Sequence, residues 1–405
     1  MSEMKQSDCT PRKSLCIVTQ SYSFGGTEVH TLGVINALID CGYRVDIIAC
    51  QCHHEYDQAI AVSERREQVT ITYTDLDVNE SRPDALRRWR EILKPKRSDL
   101  LIFPKGENSM GNMAFLRACR QFFKKVVFIE HLEAKPLPLI SSRRLFGFIP
   151  AGFGLWWYKQ RLTMKLRSAY SDRIIAVSAK VKERLTNDWG VSPEKIVVIH
   201  NGVRWQDYAR DDVRGAAFRS RYGIPADAFT FGMTTRLTHL KAIDIALQAL
   251  HLLLGKDAGR NVYLVIAGEG EQAENLHRQV NDLNLGNRVK FIGFVNDVRD
   301  VLSGYDVILF PSRREGLPLG LLEGMAAGCI PIVTRISGMP EAVDSPELGW
   351  VVPPEDPVEL CHAMQAVLGC DDQVLARMRR SVVQRIKEQF DISECHRRIV
   401  EVCDA

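Results

Sequence analysis

Short apolar runs recur along the chain, each followed by a polar or glycine-containing turn and then apolar residues at helical spacing. Ser14–Gln20 (SLCIVTQ) reads as a buried strand. After a Ser/Gly turn, Val29, Leu32, Ile35, Leu38 and Ile39 mark one face of a helix, and Tyr43–Ala49 (YRVDIIA) is the next strand. The rhythm continues through Leu100–Phe103, Val126–Ile129, Ile174–Val177 and Ile196–Ile199. A charged stretch, Arg204–Asp227, intervenes, and a second series predicts strands at Phe229–Met233, Val262–Ile266, Val289–Ile292, Val307–Phe310 and Ile330–Val333. Strands alternating with helices predict an α/β protein whose parallel sheets are covered on both faces. The two series make two units of similar size, joined near Asn201–Arg204. Ligands of open α/β sheets bind beyond the carboxyl ends of the strands, so two such units facing each other would share one deep cleft. The stretch Ser381–Val402 is helical in pattern.

Length agrees: 405 residues suit two domains at roughly 100–200 residues each. With 45% apolar and 25% charged residues, the composition excludes disordered, collagen-like and small disulfide-scaffold classes. No uninterrupted apolar run is long enough to cross a membrane, and the opening MSEMKQSDCTPRKS has no apolar signal core, so a cytoplasmic protein is expected. Lys+Arg 53 against Asp+Glu 50 leaves a net charge of +3, which does not suggest a nucleic-acid partner. The eleven cysteines are scattered, several within apolar runs (Cys16, Cys119, Cys329), as buried reduced thiols are. Cys50, Cys52, His53 and His54 cluster, but no second Cys/His pair exists to complete a zinc site. Asp75 and Asp77 spell a D-x-D that reads as a solvated turn, not a cation site.

Three segments carry candidate chemistry. Gly25-Gly26-Thr27-Glu28 opens the first helix, where close backbone approach and free N–H groups suit an anion. Arg236 follows a strand and Lys241 opens a helix; two cations there can clamp a diphosphate and neutralise a leaving phosphate without a metal. Glu315 and Glu323 sit eight residues apart in an apolar, glycine-rich run, and each carboxylate can accept from two hydroxyls of a polyhydroxylated ligand.

Taken in order, Gly25-Gly26-Thr27-Glu28, His200-Asn201-Gly202-Val203, Arg236 through Lys241, and Glu315 with Glu323, trailed by Met325-Ala326-Ala327-Gly328 and Pro331, resemble the family 4 glycosyltransferases. The resemblance covers the chain from about Leu15 onward. It implies the GT-B fold, two Rossmann-like domains across a deep cleft, with residues 1–202 on the acceptor side, 203–387 binding the nucleotide sugar, and a helix of 388–405 crossing back to the first domain. It implies a retaining hexosyltransferase that needs no metal or other cofactor and uses a nucleotide sugar, most readily a UDP-sugar. Arg236 and Lys241 would hold the diphosphate, Glu323 the ribose hydroxyls and Glu315 the transferred sugar. The Gly25-Gly26 backbone would face the distal phosphate, and His131 would lie beside the sugar. Asn201, Val295, Gly316, Leu317, Pro318 and Leu319 complete the implied donor site. The chain departs from the family's usual glycines at Ala242 and at Ser337, which precedes Gly338.

Gly268-Glu269-Gly270-Glu271-Gln272-Ala273 after a strand approximates a dinucleotide fingerprint, but Glu269 and Glu271 would repel a pyrophosphate there. A soluble small-molecule acceptor, a phosphorylase or epimerase on the same fold, and a non-catalytic sugar-nucleotide-binding protein are the alternative readings. The expected acceptor is a glycan or a lipid-linked saccharide of surface-polysaccharide or glycoconjugate synthesis. Between Ala134 and Ser171 there is no acidic residue, while Lys135, Arg143, Arg144, Lys159, Arg161, Lys165 and Arg167 alternate with Phe146, Phe148, Phe153, Trp156, Trp157 and Tyr158. Such a segment suits anionic lipid, so peripheral contact with the inner membrane leaflet through 135–167 is expected; the competing expectation is that Trp156, Trp157 and Leu162 pack into the core.

Overall fold

The computed structural model describes residues 13–20, 25–50, 66–96, 98–106, 110–132, 144–145, 149–150, 153–256 and 261–405, with backbone alone at 66 and from 144 to 157. Ser23, Phe24, Cys52, His53, His54, Lys135, Arg143, Phe146 and Phe148 lie outside these residues.

The first unit holds strands β1 (Lys13–Gln20), β2 (Tyr43–Cys50), β3 (Val69–Thr74), β4 (Leu100–Lys105) and β5 (Lys125–Glu130). A separate antiparallel pair, β6 (Arg144–Leu145) and β7 (Ile149–Pro150), precedes β8 (Arg173–Ala176) and β9 (Ile196–Val198). The seven main strands form one parallel sheet in the order β3-β2-β1-β4-β5-β8-β9. β1 and β4 are buried on both faces, as strands covered by helices on each side must be.

The second unit is a six-stranded parallel sheet, β12-β11-β10-β13-β14-β15. Its strands are β10 (Phe229–Thr234), β11 (Val262–Ala267), β12 (Val289–Gly293), β13 (Val307–Phe310), β14 (Ile330–Thr334) and β15 (Trp350–Val352). Phe231, Leu264, Ile266, Leu309 and Ile332 meet Leu247, Leu250, Met364 and Val367 from the helices Ile243–Lys256 and Pro357–Leu368 in one buried cluster. Each such side chain contributes roughly 1.5–3 kcal/mol by leaving water. In both sheets chain order reverses beside the first strand, between β1 and β4 and between β10 and β13. These switch points open the crevices that ligands use.

The C-terminal stretch is two helices, Asp372–Gln389 and Ile392–Asp404. Buried Phe390 and Asp391 interrupt them; the Asp391 carboxylate accepts from Ser393 N, and Val203 bonds to both Phe390 and Ile392. By packing, the first unit comprises Met1–Ile199 and His396–Ala405 and the second His200–Cys395. The sequence had suggested boundaries at 202/203 and 387/388. Within the first unit, Asp404 accepts from Tyr43 (2.5 Å) and Lys13 (2.6 Å). Lys125 Nζ donates to the carbonyls of Val402 (2.6 Å) and Cys403 (3.1 Å), a cation on the last turn of a helix where the dipole favours one.

Candidate functional site

A polar cluster of the second unit lies at its switch point. Arg236 follows β10 and is exposed, and Lys241 ends a 3-10 turn, His239–Lys241. Glu315 follows β13. Lys241 Nζ donates to Glu315 Oε1 at 2.5 Å, and Ser312 Oγ donates to the same oxygen at 2.9 Å. The Glu315 side chain is only 5% exposed and that of Lys241 19%, so the ion pair is largely dry.

The loop after Glu315 is held by its backbone. Ser337 Oγ donates to the Glu315 carbonyl (2.5 Å), Gly338 N to that of Gly316 (2.7 Å), and Asn201 Nδ2 to that of Leu317 (2.7 Å). Asn201 Oδ1 is buried with no partner among the described residues. Pro318 caps the helix Leu319–Ala326, which delivers Glu323 to a position where Tyr208 Oη donates to its Oε1 at 3.0 Å. Burial pushes the Glu323 carboxyl up and the Tyr208 bond opposes that shift. Val295 lies past the end of β12, two strands away from β10.

Arg313, which the sequence reading missed, ties these loops together. Its guanidinium donates to the His239 carbonyl (2.7 Å), to both Asp244 oxygens (2.8 and 2.7 Å) and to Glu355, and its backbone N donates to the Leu240 carbonyl (2.8 Å). Burial alone would raise the Asp244 carboxyl, but the bidentate Arg313 bond outweighs it and the net shift is down. Three residues with left-handed backbone lie in the same loops: Ala242 (φ 51°), Ser337 (φ 48°) and Glu355 (φ 61°). Two of these are the positions where the family usually carries glycine, so the departures fall where an L side chain is strained.

The glycine run after β11 has a structural task. A Cβ on Gly268 would come 1.9 Å from the Thr235 carbonyl oxygen, and one on Gly270 2.5 Å from that of Leu237. Leu237 N bonds to the Glu269 carbonyl (2.8 Å), so these glycines seat the backbone that carries Arg236. The fingerprint spacing is thereby accounted for without a dinucleotide.

The first unit has its own polar cluster at the carboxyl edge of its sheet. His131 follows β5, is buried, and packs edge-to-face on His30 with ring centroids 4.7 Å apart. Burial lowers the His131 imidazole to about 4, so it is neutral near pH 7; His30 is also driven well down. His131 Nε2 and His30 Nδ1 are buried without partners among the described residues. Beside them Lys105 and Glu130 form a buried ion pair at 2.7 Å, at the ends of β4 and β5. Gly25 N donates to Glu28 Oε2 at 2.9 Å at the mouth of the helix Gly26–Asp40, while the Cα of Gly26 faces open space. Asp75 is held by Arg88 through two bonds of 2.9 Å, and Asp77 caps the N–H of Asn79.

The family profile described as "Glycosyl transferases group 1" matches residues 216–389, and that of "Glycosyltransferase Family 4" matches residues 24–205. A UDP-Gal:alpha-D-GlcNAc-diphosphoundecaprenol alpha-1,3-galactosyltransferase of Escherichia coli is 29% identical over 54% of this chain and 57% of its own length. A D-inositol 3-phosphate glycosyltransferase of Streptomyces bingchenggensis is 29% identical over 51% of this chain and 47% of its own. The chain thus spans about half the length of these curated relatives. A glycosyltransferase assigned to colanic acid biosynthesis in Escherichia coli is 28% identical over 94% of this chain and 97% of its own length. Among solved structures, Anabaena Alr3699/HepE in complex with UDP and glucose superposes with a TM-score of 0.73 at 18% identity, covering 96% of this chain and 99% of that one. A glycosyltransferase from Rickettsia africae gives 0.73 at 19% identity, covering 96% and 97%. With two parallel-sheet Rossmann-like units and matches over both halves, the chain belongs to the group 1 glycosyltransferases of family 4 and has the GT-B fold.

Proposed function

We propose that this chain transfers a hexosyl group from a nucleotide sugar, a UDP-sugar, to a glycan or lipid-linked acceptor with retention of anomeric configuration and without a metal ion. The observation that carries the reading is the dry Lys241–Glu315 pair at the β10/β13 switch point, with Glu323 one helical step beyond. Arg236 and Lys241 supply fixed positive charge where a diphosphate leaves, and preorganised charge of this kind is the largest lever on such a step. Glu315, Gly316, Leu317, Pro318 and Leu319 present a carboxylate and a tethered backbone to sugar hydroxyls, and Glu323 accepts from the ribose. In the reaction the bond from the anomeric carbon to the diphosphate oxygen breaks through an oxocarbenium-like state. The acceptor oxygen bonds to the same face, and its proton passes to the departing phosphate oxygen. His131 is neutral near pH 7, so its imidazole can offer a hydrogen bond but not a positive charge. The Escherichia coli relative, named for UDP-Gal and a diphosphoundecaprenol-linked sugar, and the UDP and glucose in the Anabaena complex support the same donor and acceptor classes.

The test is transfer by EDTA-treated protein from a panel of nucleotide sugars, with the product linkage read by NMR. An axial donor should give an axial product. Strict dependence on added magnesium or manganese would remove the metal-free clause, and an inverted linkage would remove the retaining one.

One observation favours a membrane-resident acceptor. On the helix Phe153–Ser168, Tyr158 (60% exposed), Leu162 (42%) and Leu166 (49%) form a stripe at four-residue spacing, while Met164 points inward. Leu162 is therefore not a core residue. Exposed Lys159 and Lys165 flank the stripe. An apolar stripe rimmed by lysines suits the interface of an anionic bilayer, each cation adding about 1 kcal/mol. Among the described residues no helix is long and apolar enough to cross a membrane. Flotation with liposomes tests the docking: recovery in the upper fractions should require anionic lipid and fall with salt. Equal recovery at the bottom with and without anionic lipid would favour a soluble acceptor.

A further inference from the structure

Tyr208 is a residue to which neither the motifs nor the family reading gives a role. It closes the 3-10 turn Trp205–Tyr208, and that turn is anchored at several points. Asp207 N bonds to the Arg204 carbonyl (2.9 Å), Lys387 Nζ lies 4.2 Å from the centroid of the Trp205 ring, and Val203 N bonds to the Phe390 carbonyl (2.9 Å). A half-buried phenol on so fixed a turn reaches the helix Leu319–Ala326 and donates to Glu323 Oε1 at 3.0 Å.

The geometry has a chemical consequence. A carboxylate is acceptor-only when ionised, and a vicinal diol is a pair of donors. Glu323 can receive both hydroxyls of a ribose only while it is ionised and held in one rotamer. A single phenolic proton given to Oε1 serves both ends: it rewards the ionised form and fixes the plane of the carboxylate, leaving Oε2 and the second lone pair of Oε1 to the diol. Among the described residues no other donor reaches Glu323. The strands β13 and β14, which also pack on this helix, carry no charged residue. The helix Asp372–Gln389 brings Arg379, bonded to Asp306, and Arg385, bonded to Asp344. Arg299, near the phenol, is paired with Asp297, and Asp207 is Tyr208's chain neighbour.

We propose that Tyr208 is the positioning residue for ribose recognition: its hydroxyl orients Glu323, and through it sets the preference for a ribonucleotide over its deoxy counterparts. This rests on the reading of Glu323 as the ribose carboxylate. It assigns discrimination to a side chain that does not itself touch the nucleotide.

The experiment compares wild type, Tyr208→Phe, Glu323→Gln and the double variant by calorimetry. The probe is the tightest of UDP, GDP and ADP, together with its 2′-deoxy and 3′-deoxy forms, titrated between about pH 5 and pH 8. In wild type the ribonucleotide should bind about tenfold or more tighter than either deoxy form, the size of hydrogen bonds to a charged group. Tyr208→Phe should weaken the ribonucleotide about tenfold, leave the deoxy forms within about twofold, and so collapse the ratio. Because the Tyr208 bond opposes the upward push of burial on Glu323, its loss should also move the acid limb of binding to higher pH. The double variant should be no weaker than Glu323→Gln alone. A purely structural Tyr208 would lower ribo and deoxy affinities together, with ratio and acid limb unmoved, and that outcome overturns the proposal while sparing the function. Failure of wild type to bind any of the three nucleotides would overturn the underlying reading as well. If Tyr208→Phe did not fold, the wild-type ratio and its loss in Glu323→Gln would still be measured, and Tyr208→Trp, which also lacks the hydroxyl, would take its place.

Discussion

Replacing Lys241 by methionine tests the site most directly, because the cost can be worked out from its surroundings. Lys241 Nζ lies 2.5 Å from Glu315 Oε1 with the Glu315 side chain 5% exposed. At an effective dielectric of about 20, charges at that distance attract by roughly 7 kcal/mol before desolvation is subtracted. Methionine fills most of the lysine's volume but removes the charge, leaving Glu315 with the Ser312 hydroxyl as its remaining side-chain partner here. Stranding one member of a buried pair costs about 3–5 kcal/mol. Glu315→Gln should cost less, about 1–2 kcal/mol, because Lys241 at 19% exposure can still reach water. In the double variant neither charge is stranded, so the two losses should not add; the coupling should be about 2 kcal/mol. Scanning calorimetry of the full chain is the assay, with the second unit's transition identified by its shift on adding UDP. The same lysine variant should lower turnover by roughly 10²–10³. Losses that add to within about 0.5 kcal/mol would mean that the pair is not coupled, and the account of a dry, preformed anion clamp would fall.

Three further outcomes follow from the same geometry. Arg236→Ala should lower turnover by roughly 10²–10³ with an unchanged melting profile, since Arg236 is exposed; unchanged turnover would place the diphosphate elsewhere. Ala242→Val should cost more than about 2 kcal/mol, because a β-branched residue would have to occupy a buried left-handed position, whereas Ala242→Gly should stay within about 1 kcal/mol of wild type, relief of strain offsetting a lost methyl; urea denaturation ranks the two. His131 titrates at 6.5 when unfolded and near 4 when folded, so between those values the unfolded state holds the extra proton, and stability should fall with acidification by up to roughly 3 kcal/mol. His131→Gln should flatten that part of the stability profile, and an unaltered slope would show that His131 is not held neutral.

The sheets were legible because most of their strands are apolar runs long enough to be seen against their flanks. The same rule set the limits. Leu100–Phe103 and Val126–Ile129 were read short by a residue or two, because β4 ends in Lys105 and β5 in Glu130, charges that the sequence alone would put in water. Each is buried because the other is there, and 25 residues separate them. β15 has only three residues and no periodicity to detect. The candidate site divides likewise. Glu315 and Glu323 announce themselves through a glycine-rich run after a strand, and Lys241 through its place just past a strand end, but Tyr208 sits in a charged, unpatterned segment and Arg313 reads as one of two surface arginines; only tertiary contact gives them partners. The opposite error is Gly268 and Gly270, whose spacing looked like ligand chemistry and whose absent side chains make room for a neighbouring backbone.

The first unit draws its last helical segment, His396–Ala405, from chain that follows the second in sequence. On a ribosome this becomes a matter of timing. Residues up to 199 emerge first, yet the carbonyls that Lys125 caps and the Asp404 carboxylate that Lys13 and Tyr43 hold do not exist until the second unit has been made. At about 5–20 residues per second, that is a wait of roughly 10–40 s. During it those bonds at β1, β2 and β5 are unmade, while the second unit gains every strand of its own sheet in sequence. The earlier-made half is thus the later to be finished, and the nascent chain's exposure to chaperones should be greatest at β1, β2 and β5, the strands whose partners arrive last.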